Sequence, residues 1–154
     1  MVDAKLDLLK LIALDEEDLT VLSAHLQDAV LRVADLKYIS ADNRFAIALN
    51  RFVWSKGAGQ VVNERRRTAL HFDRVAKVQV QNIRQNAPDA ILNLLAIQFL
   101  PTDKPAGTID LVFSDNAVIR LDVDCIEAQL SDLGGAWETE SRPDHDLEGD
   151  TIKA

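Results

Sequence analysis

From Val30 to Val123 the apolar residues of this chain recur at every second position, between clusters of turn-forming residues. That period belongs to β-strands with one face buried, and it leaves little room for any fold that is not built around a sheet. Phe45, Ile47 and Leu49 share one face, as do Leu70 and Phe72, then Ile109, Leu111 and Phe113, then Ile119 and Leu121. Val78 and Val80 alternate with Lys77, Gln79 and Gln81. Ile91–Leu100 is apolar on nearly both faces, which suits a central strand covered on each side. Ser40–Asn43, Asn86–Asp89, Pro101–Gly107 and Ser114–Asn116 supply the turns, and the two-glycine segment 55–63 reads as a mobile loop.

Helical signals flank this region. After a strand-length stretch, Lys5–Ala13, Asp15 is placed to cap a helix, with Asp18 in the reciprocal position and Leu14 and Leu19 spaced as a hydrophobic staple. Leu19, Leu22, Leu26 and Ala29 continue at helical spacing, predicting a helix over 16–29. At the other end Asp124 and Glu127 form a second capping pair. Ile126, Leu130, Leu133 and Trp137 follow at helical intervals, and Gly134-Gly135 lies near the end. The expected class is α+β: a mostly antiparallel curved sheet or partly open barrel, with an N-terminal helix and a C-terminal helix closing one end. The order of elements is pleckstrin-homology-like by analogy only. A single open sheet with both helices on one face is the alternative. The 154 residues fit one domain, assigned to 1–137. Residues 138–154 hold six acids against two bases and read as a disordered acidic tail.

Charge is unevenly distributed. The net charge is −8, yet 44–84 holds nine basic residues and two acidic ones. Either basic and acidic strands neutralise each other within the sheet, or the basic segment meets an anionic partner. The run Arg65-Arg66-Arg67, with Arg51 and Lys56 and the aromatics Phe52 and Trp54, has the composition of a surface for RNA or a phosphorylated ligand. The net charge disfavours nucleic acid, because phosphate neutralisation draws on lysine and arginine.

Motifs that carry chemistry are sparse. The sequence holds no phosphate-cradling GxxxxGK[ST], no GxGxxG and no HExxH. A single cysteine, Cys125, excludes an internal disulfide framework, and the acids around it oppose thiolate formation. His71 and Asp73, two apart on a strand, share a face and are the one pair with the geometry of an oriented base; no spacing nominates a nucleophile or a third metal ligand to join them. No apolar run approaches the ~20 residues that span a bilayer, and no signal peptide precedes the acidic stretch at 15–18.

Four segments carry a family resemblance: LKLIALDEEDLTVLSAHLQDAVLRVADL (9–36), RFVW (51–54), RRRTALHFDRV (65–75) and AGTIDLVFSDNAVIRLDVDCIEAQLSDLGGAW (106–137). In these the chain resembles DUF2948, a family of alphaproteobacterial proteins of unknown function. The resemblance implies a bacterial cytoplasmic setting and brings no activity, cofactor or site residue. The leading expectation is a non-enzymatic cytoplasmic binding or adaptor domain, with no cofactor and no metal, that meets a protein partner or an anionic ligand and no membrane. The alternative is an RNA or phosphorylated-ligand binder using Arg51, Trp54, Lys56, Arg65, Arg66 and Arg67. An enzyme with a site near His71 and Asp73 ranks third. Self-association through an edge strand or Trp54 is a further expectation.

Overall fold

The structure is a computed structural model that describes residues 8–57 and 60–133, with side chains described outside 54–64. Its elements run β1 (Lys10–Ala13), α1 (Glu16–His25), β2 (Val30–Arg32), β3 (Leu36–Ile39), β4 (Arg44–Gly57), β5 (Gln60–Phe72), β6 (Val75–Gln81), β7 (Ile91–Pro101), β8 (Gly107–Phe113), β9 (Val118–Val123) and β10 (Ala128–Asp132). Every strand pairing among the described residues is antiparallel. The sheet order is β1-β10-β5-β4-β2-β7-β8-β9-β6, with β3 also on β4, so the sheet is open with β1 and β6 at its ends.

Most of the period-two residues are the core; Val80 is exposed, and β7 is not covered on both sides, since Ile91, Leu95 and Leu100 are exposed. Phe45, Ile47, Leu49, Leu70 and Phe72 from one half of the sheet pack in the same buried cluster as Ile109, Leu111, Phe113, Ile119 and Leu121 from the other. One cluster shared by both ends of the strand order requires the sheet to curl over itself. α1 lies over this face and contributes Leu19, Leu22 and, just beyond it, Leu26. Its N-terminus is capped as expected: the Asp15 carboxylate accepts from the Asp18 amide at 2.8 Å, and the Asp18 carboxylate accepts from the Leu14 amide at 3.1 Å. The staple does not close, because Leu14 is 63% exposed. The helix stops at His25 rather than near residue 29, because Asp28 adopts a positive φ of 70° and its amide is taken by the Leu94 carbonyl.

Two other expectations change. The segment 55–63 is not a loop of nine residues: β4 runs to Gly57, β5 begins at Gln60, and Gly57 pairs with Gln60. The larger correction concerns the C-terminus. No closing helix forms over 124–133; residues 128–132 are β10, paired with β5 on one side and β1 on the other. The residues spaced for a helix also read with period two. Ile126, Ala128 and Leu130 are all buried. The supposed capping groups are used elsewhere: the Glu127 carboxylate accepts from Arg74 Nε, and the Asp124 amide donates to the Arg74 carbonyl. Among the described residues the molecule is therefore a mainly antiparallel β-sheet domain with one α-helix. The α+β arrangement closed by a second helix, and with it the pleckstrin-homology-like order, does not hold. The acidic segment 138–154 lies outside the described residues.

Candidate functional site

β10 carries the inward alternation one step further than the apolar residues do. After Ala128 and Leu130 the next inward position is Asp132, whose side chain is wholly enclosed. Its Oδ1 accepts from Arg51 Nε at 2.9 Å and from the Thr68 hydroxyl at 2.8 Å. Its Oδ2 accepts from Arg51 Nη2 at 2.8 Å and from the Leu9 amide at 2.9 Å, with Arg66 Nη1 at 4.0 Å. One carboxylate thus ties together β4, β5, β10 and the start of β1. Burial raises its pKa, but the Arg51 hydrogen bonds, then those from Leu9 and Thr68, overcome this and hold it below the usual carboxylate range. Neither Asp132 nor Thr68 stood out in the sequence. The signal was the period-two reading of Ile126, Ala128, Leu130 and Asp132, masked by an equally good helical spacing.

The six basic and aromatic candidates separate by register. Arg51 pairs across the strands with Arg66, and both face Asp132. Phe52 pairs with Arg65 on the opposite face, where the exposed Arg65 guanidinium sits 5.0 Å from the Phe52 ring centroid. Arg67 lies on that same face, 3.4 Å from the Asn50 side-chain oxygen and 3.6 Å from the Asp35 carboxylate. Trp54 pairs with Asn63 and Lys56 with Val61 in the backbone register, and their side chains lie outside the described set. The arginines therefore do not converge: Arg51 is committed internally, while Arg65 and Arg67 flank Phe52 and Asn50 on the outer face.

These positions belong to the part of β4 and β5 that runs past their neighbouring strands. β10 pairs with β5 no further than Thr68, and β2 pairs with β4 only at Asn50. Beyond those points β4 and β5 pair only with each other among the described residues, over seven positions from Arg51–Arg66 to Gly57–Gln60. The result is a two-stranded arm.

His71 is on the outer face, opposite Ala46 and Gln129. Its Nδ1 lies 3.5 Å from Asp73 Oδ2 without a hydrogen bond, and is buried with no partner. Asp73 instead accepts from Arg44 Nε at 2.7 Å. Burial, and next the Arg44 charge, pull the imidazole below its ordinary pKa and keep it neutral near pH 7. Arg74, beside the pair, is engaged with Glu127 at 3.1 Å. His71 and Asp73 are neighbours as expected, but the carboxylate orients an arginine rather than the imidazole. Among the described residues no group of three His, Cys, Asp or Glu side chains could hold a metal ion.

At the base of the arm a cleft of about 440 Å³ opens between Arg51, Phe52 and Val53 of β4 and the exit of α1, formed by Ala24, His25, Gln27 and Asp28, with Leu9 at one side. Neither Gln27 nor Asp28 was singled out by sequence. Together the fold and these features define a mainly β-sheet domain with a basic two-stranded arm and a cleft at its root. Its family is DUF2948, a family of proteins of unknown function: the family model matches residues 9–145, most of the chain, and the protein belongs to it. No curated protein and no solved structure matches the chain. Among the described residues no helix is long and apolar enough to cross a membrane.

Proposed function

We propose that this domain is a non-enzymatic cytoplasmic binding or adaptor module whose contact element is the β4–β5 arm. The supporting observation is the arm itself: among the described residues, seven residue pairs extend past the last position at which a third strand pairs with either member. A two-stranded ribbon is marginal on its own and depends on the sheet it grows from. It is carried on a rigid sheet, the usual arrangement for recognition elements. The test replaces Ser55–Val62 by Asn-Gly, a two-residue hairpin turn that leaves Trp54 opposite Asn63. The shortened protein should keep its melting temperature and circular dichroism and lose the partners recovered by affinity purification from the host. Recovery of the same partners by both proteins refutes the reading.

A second reading, binding of RNA or a phosphorylated ligand through segment 51–67, is favoured by one contact. Arg65 lies over Phe52 on the outer face, a cation and an aromatic ring side by side, as in surfaces that stack bases. Fluorescence anisotropy with single-stranded RNA and with polyphosphate at low and moderate salt separates it from the first. Salt-sensitive binding abolished by Arg65→Glu supports it, and the absence of such binding removes it.

A further inference from the structure

β6 ends the strand order, paired with β9 on one side and, among the described residues, with no strand on the other. Which of its backbone groups are left over follows from β9. At the β8–β9 turn the Phe113 amide bonds to the Ala117 carbonyl. Antiparallel strands exchange bonds at alternate residues, so the backbone groups of Ile119, Leu121 and Val123 are given to β8, and those of Val118, Arg120 and Asp122 to β6. Their partners are Gln81, Gln79 and Lys77. The N–H and C=O groups of Val78 and Val80 therefore point away from β9. Val75, opposite Val123, has the same orientation: its amide donates to the Asn43 carbonyl, and its own carbonyl accepts from the Tyr38 hydroxyl. Among the described residues no such partner reaches Val78 or Val80. The open edge is 77–81, bounded by the register shift between Val75 and Lys77 and by Asn82, left-handed at a φ of 62°. It contains no proline, a residue that commonly guards exposed strands, and its one charge, Lys77, lies at its end.

We infer that β6 pairs with β6 of a second copy of this chain, antiparallel about a two-fold axis at Gln79, so that two sheets join into one. The occupant follows from the fit of this edge to itself. With Gln79 opposite the partner's Gln79, Val78 lies opposite the partner's Val80, and Val80 opposite the partner's Val78. Residues whose backbone groups point outward then meet each other, and every spare N–H and C=O of Val78 and Val80 is used across the seam. Moving the axis to Val78 or to Val80 sets the other valine against Ala76 or Asn82, at the register shift or the left-handed turn. The side chains favour the same register. Val78 and Val80 share a face with Leu121 and Ile119, and Val80 is 37% exposed, so each valine gains a valine beside it. On the other face Lys77 meets the partner's Gln81. No like charges stand opposite each other, in a chain whose net charge of −8 otherwise opposes self-association. A two-fold contact of this kind uses both edges and stops at a dimer. The seam is short beside the ~1,200–2,000 Å² of standard interfaces, so the dimer is weak and depends on concentration. β4 and β5 take no part in it, and the inference is independent of the arm reading.

Sedimentation of the full chain from micromolar to millimolar concentration should show monomer passing to dimer, with the Val78 and Val80 amides gaining protection from hydrogen exchange as it does. Val80→Pro removes one outward N–H and leaves the bonds to β9 in place, and should weaken the dimer at least about tenfold. Gln79→Lys and Gln79→Glu change an exposed position that the fold does not need. Each alone sets like charges together at the axis and should weaken the dimer, and mixing the two should restore it as a heterodimer. In a Cys125→Ser background, Gln79→Cys should oxidise to a disulfide-linked dimer. Lys77→Cys should not, because Lys77 and the partner's Lys77 lie about 13 Å apart along the strands. A monomer at every concentration, a dimer indifferent to Val80→Pro and to the charges at 79, or equal cross-linking through residue 77 overturns the inference. So does protection of the Val78 and Val80 amides that dilution leaves unchanged, which assigns the edge to the chain itself. The protein with the shortened arm should dimerise as the parent does; loss of its dimer would move the contact to the arm and overturn the β6 seam.

Discussion

Asp132 and Arg51 form a buried ion pair, and such pairs behave asymmetrically on substitution. Removing one member leaves the other charged and buried, at a cost of about 3–5 kcal/mol; replacing both by apolar groups is often neutral. Asp132→Asn should therefore lower the urea-unfolding free energy by about that amount. The pair Arg51→Met with Asp132→Leu should cost less than Asp132→Asn alone, as long as the Leu9 amide and Thr68 hydroxyl find water. The carboxylate titrates below its unfolded value, so its contribution is complete above the unfolded pKa and is lost as pH falls through the folded one. Asp132→Asn should accordingly flatten the acid limb of the stability profile below about pH 4. His71 works in the same direction at higher pH. Its folded pKa is lowered by burial and by Arg44, so the unfolded state binds the extra proton first. Stability present above about pH 6.5 should decline as pH falls toward the folded value. His71→Gln removes that decline, and denaturation at pH 7 and at pH 5.5 should then give equal free energies apart from the carboxylates. A decline unchanged in His71→Gln would place the titrating group elsewhere.

At the level of elements, periodicity was legible where only one period fitted. β4, β8 and β9 follow from alternation. The turn at 115–116 follows from Asp and Asn, which both take φ of 63° there. The start of α1 follows from its cap. β10 was not legible, because Ile126, Leu130 and Leu133 satisfy a helix while Ile126, Ala128, Leu130 and Asp132 satisfy a strand. The strand is held by distant partners that no local signal reports: β1 and β5 on its two edges and Arg51, 81 positions away, on Asp132. The same holds for the arm: 55–63 contains glycines that suggest a loop, and only the pairing of 51–57 with 60–66 makes it a ribbon. The candidate site was legible as composition and not as geometry. The arginines and Phe52 were visible in the sequence, but their division between two faces and the cleft beside Gln27 and Asp28 depend on where β2 parts from β4. One element detail is testable alone. A Cβ at Gly107 would lie 2.5 Å from the Leu100 carbonyl oxygen and 2.6 Å from Phe99 Cζ. The β7–β8 ladder must shift to admit it, so Gly107→Ala should cost roughly 1–3 kcal/mol in unfolding free energy. A variant as stable as the parent would show that the ladder end yields freely.

Over the whole molecule, the uneven charge of the chain is reconciled in part by long-range pairs. The basic middle segment meets carboxylates from outside itself: Arg51 with Asp132, Arg67 with Asp35 and Arg74 with Glu127. Arg44 with Asp73 is a pair within the segment. The same long-range closure governs the core. Leu130 beside one end of the strand order and Leu121 beside the other belong to a single buried cluster, although five strands lie between β10 and β9 in the sheet path. A shared core couples the two halves, so they should open together rather than as separate units. Leu130→Ala and Leu121→Ala should each lower stability by about 2–5 kcal/mol. Each should also reduce the hydrogen-exchange protection of the slowest amides of β5 and of β8 by the same free energy, whichever end carries the substitution. If Leu121→Ala loosened β8 and left β5 protected as before, the curled sheet would be two weakly coupled layers. The pairing of β2 with β7, three residues long, would then be a hinge between them rather than part of one continuous structure.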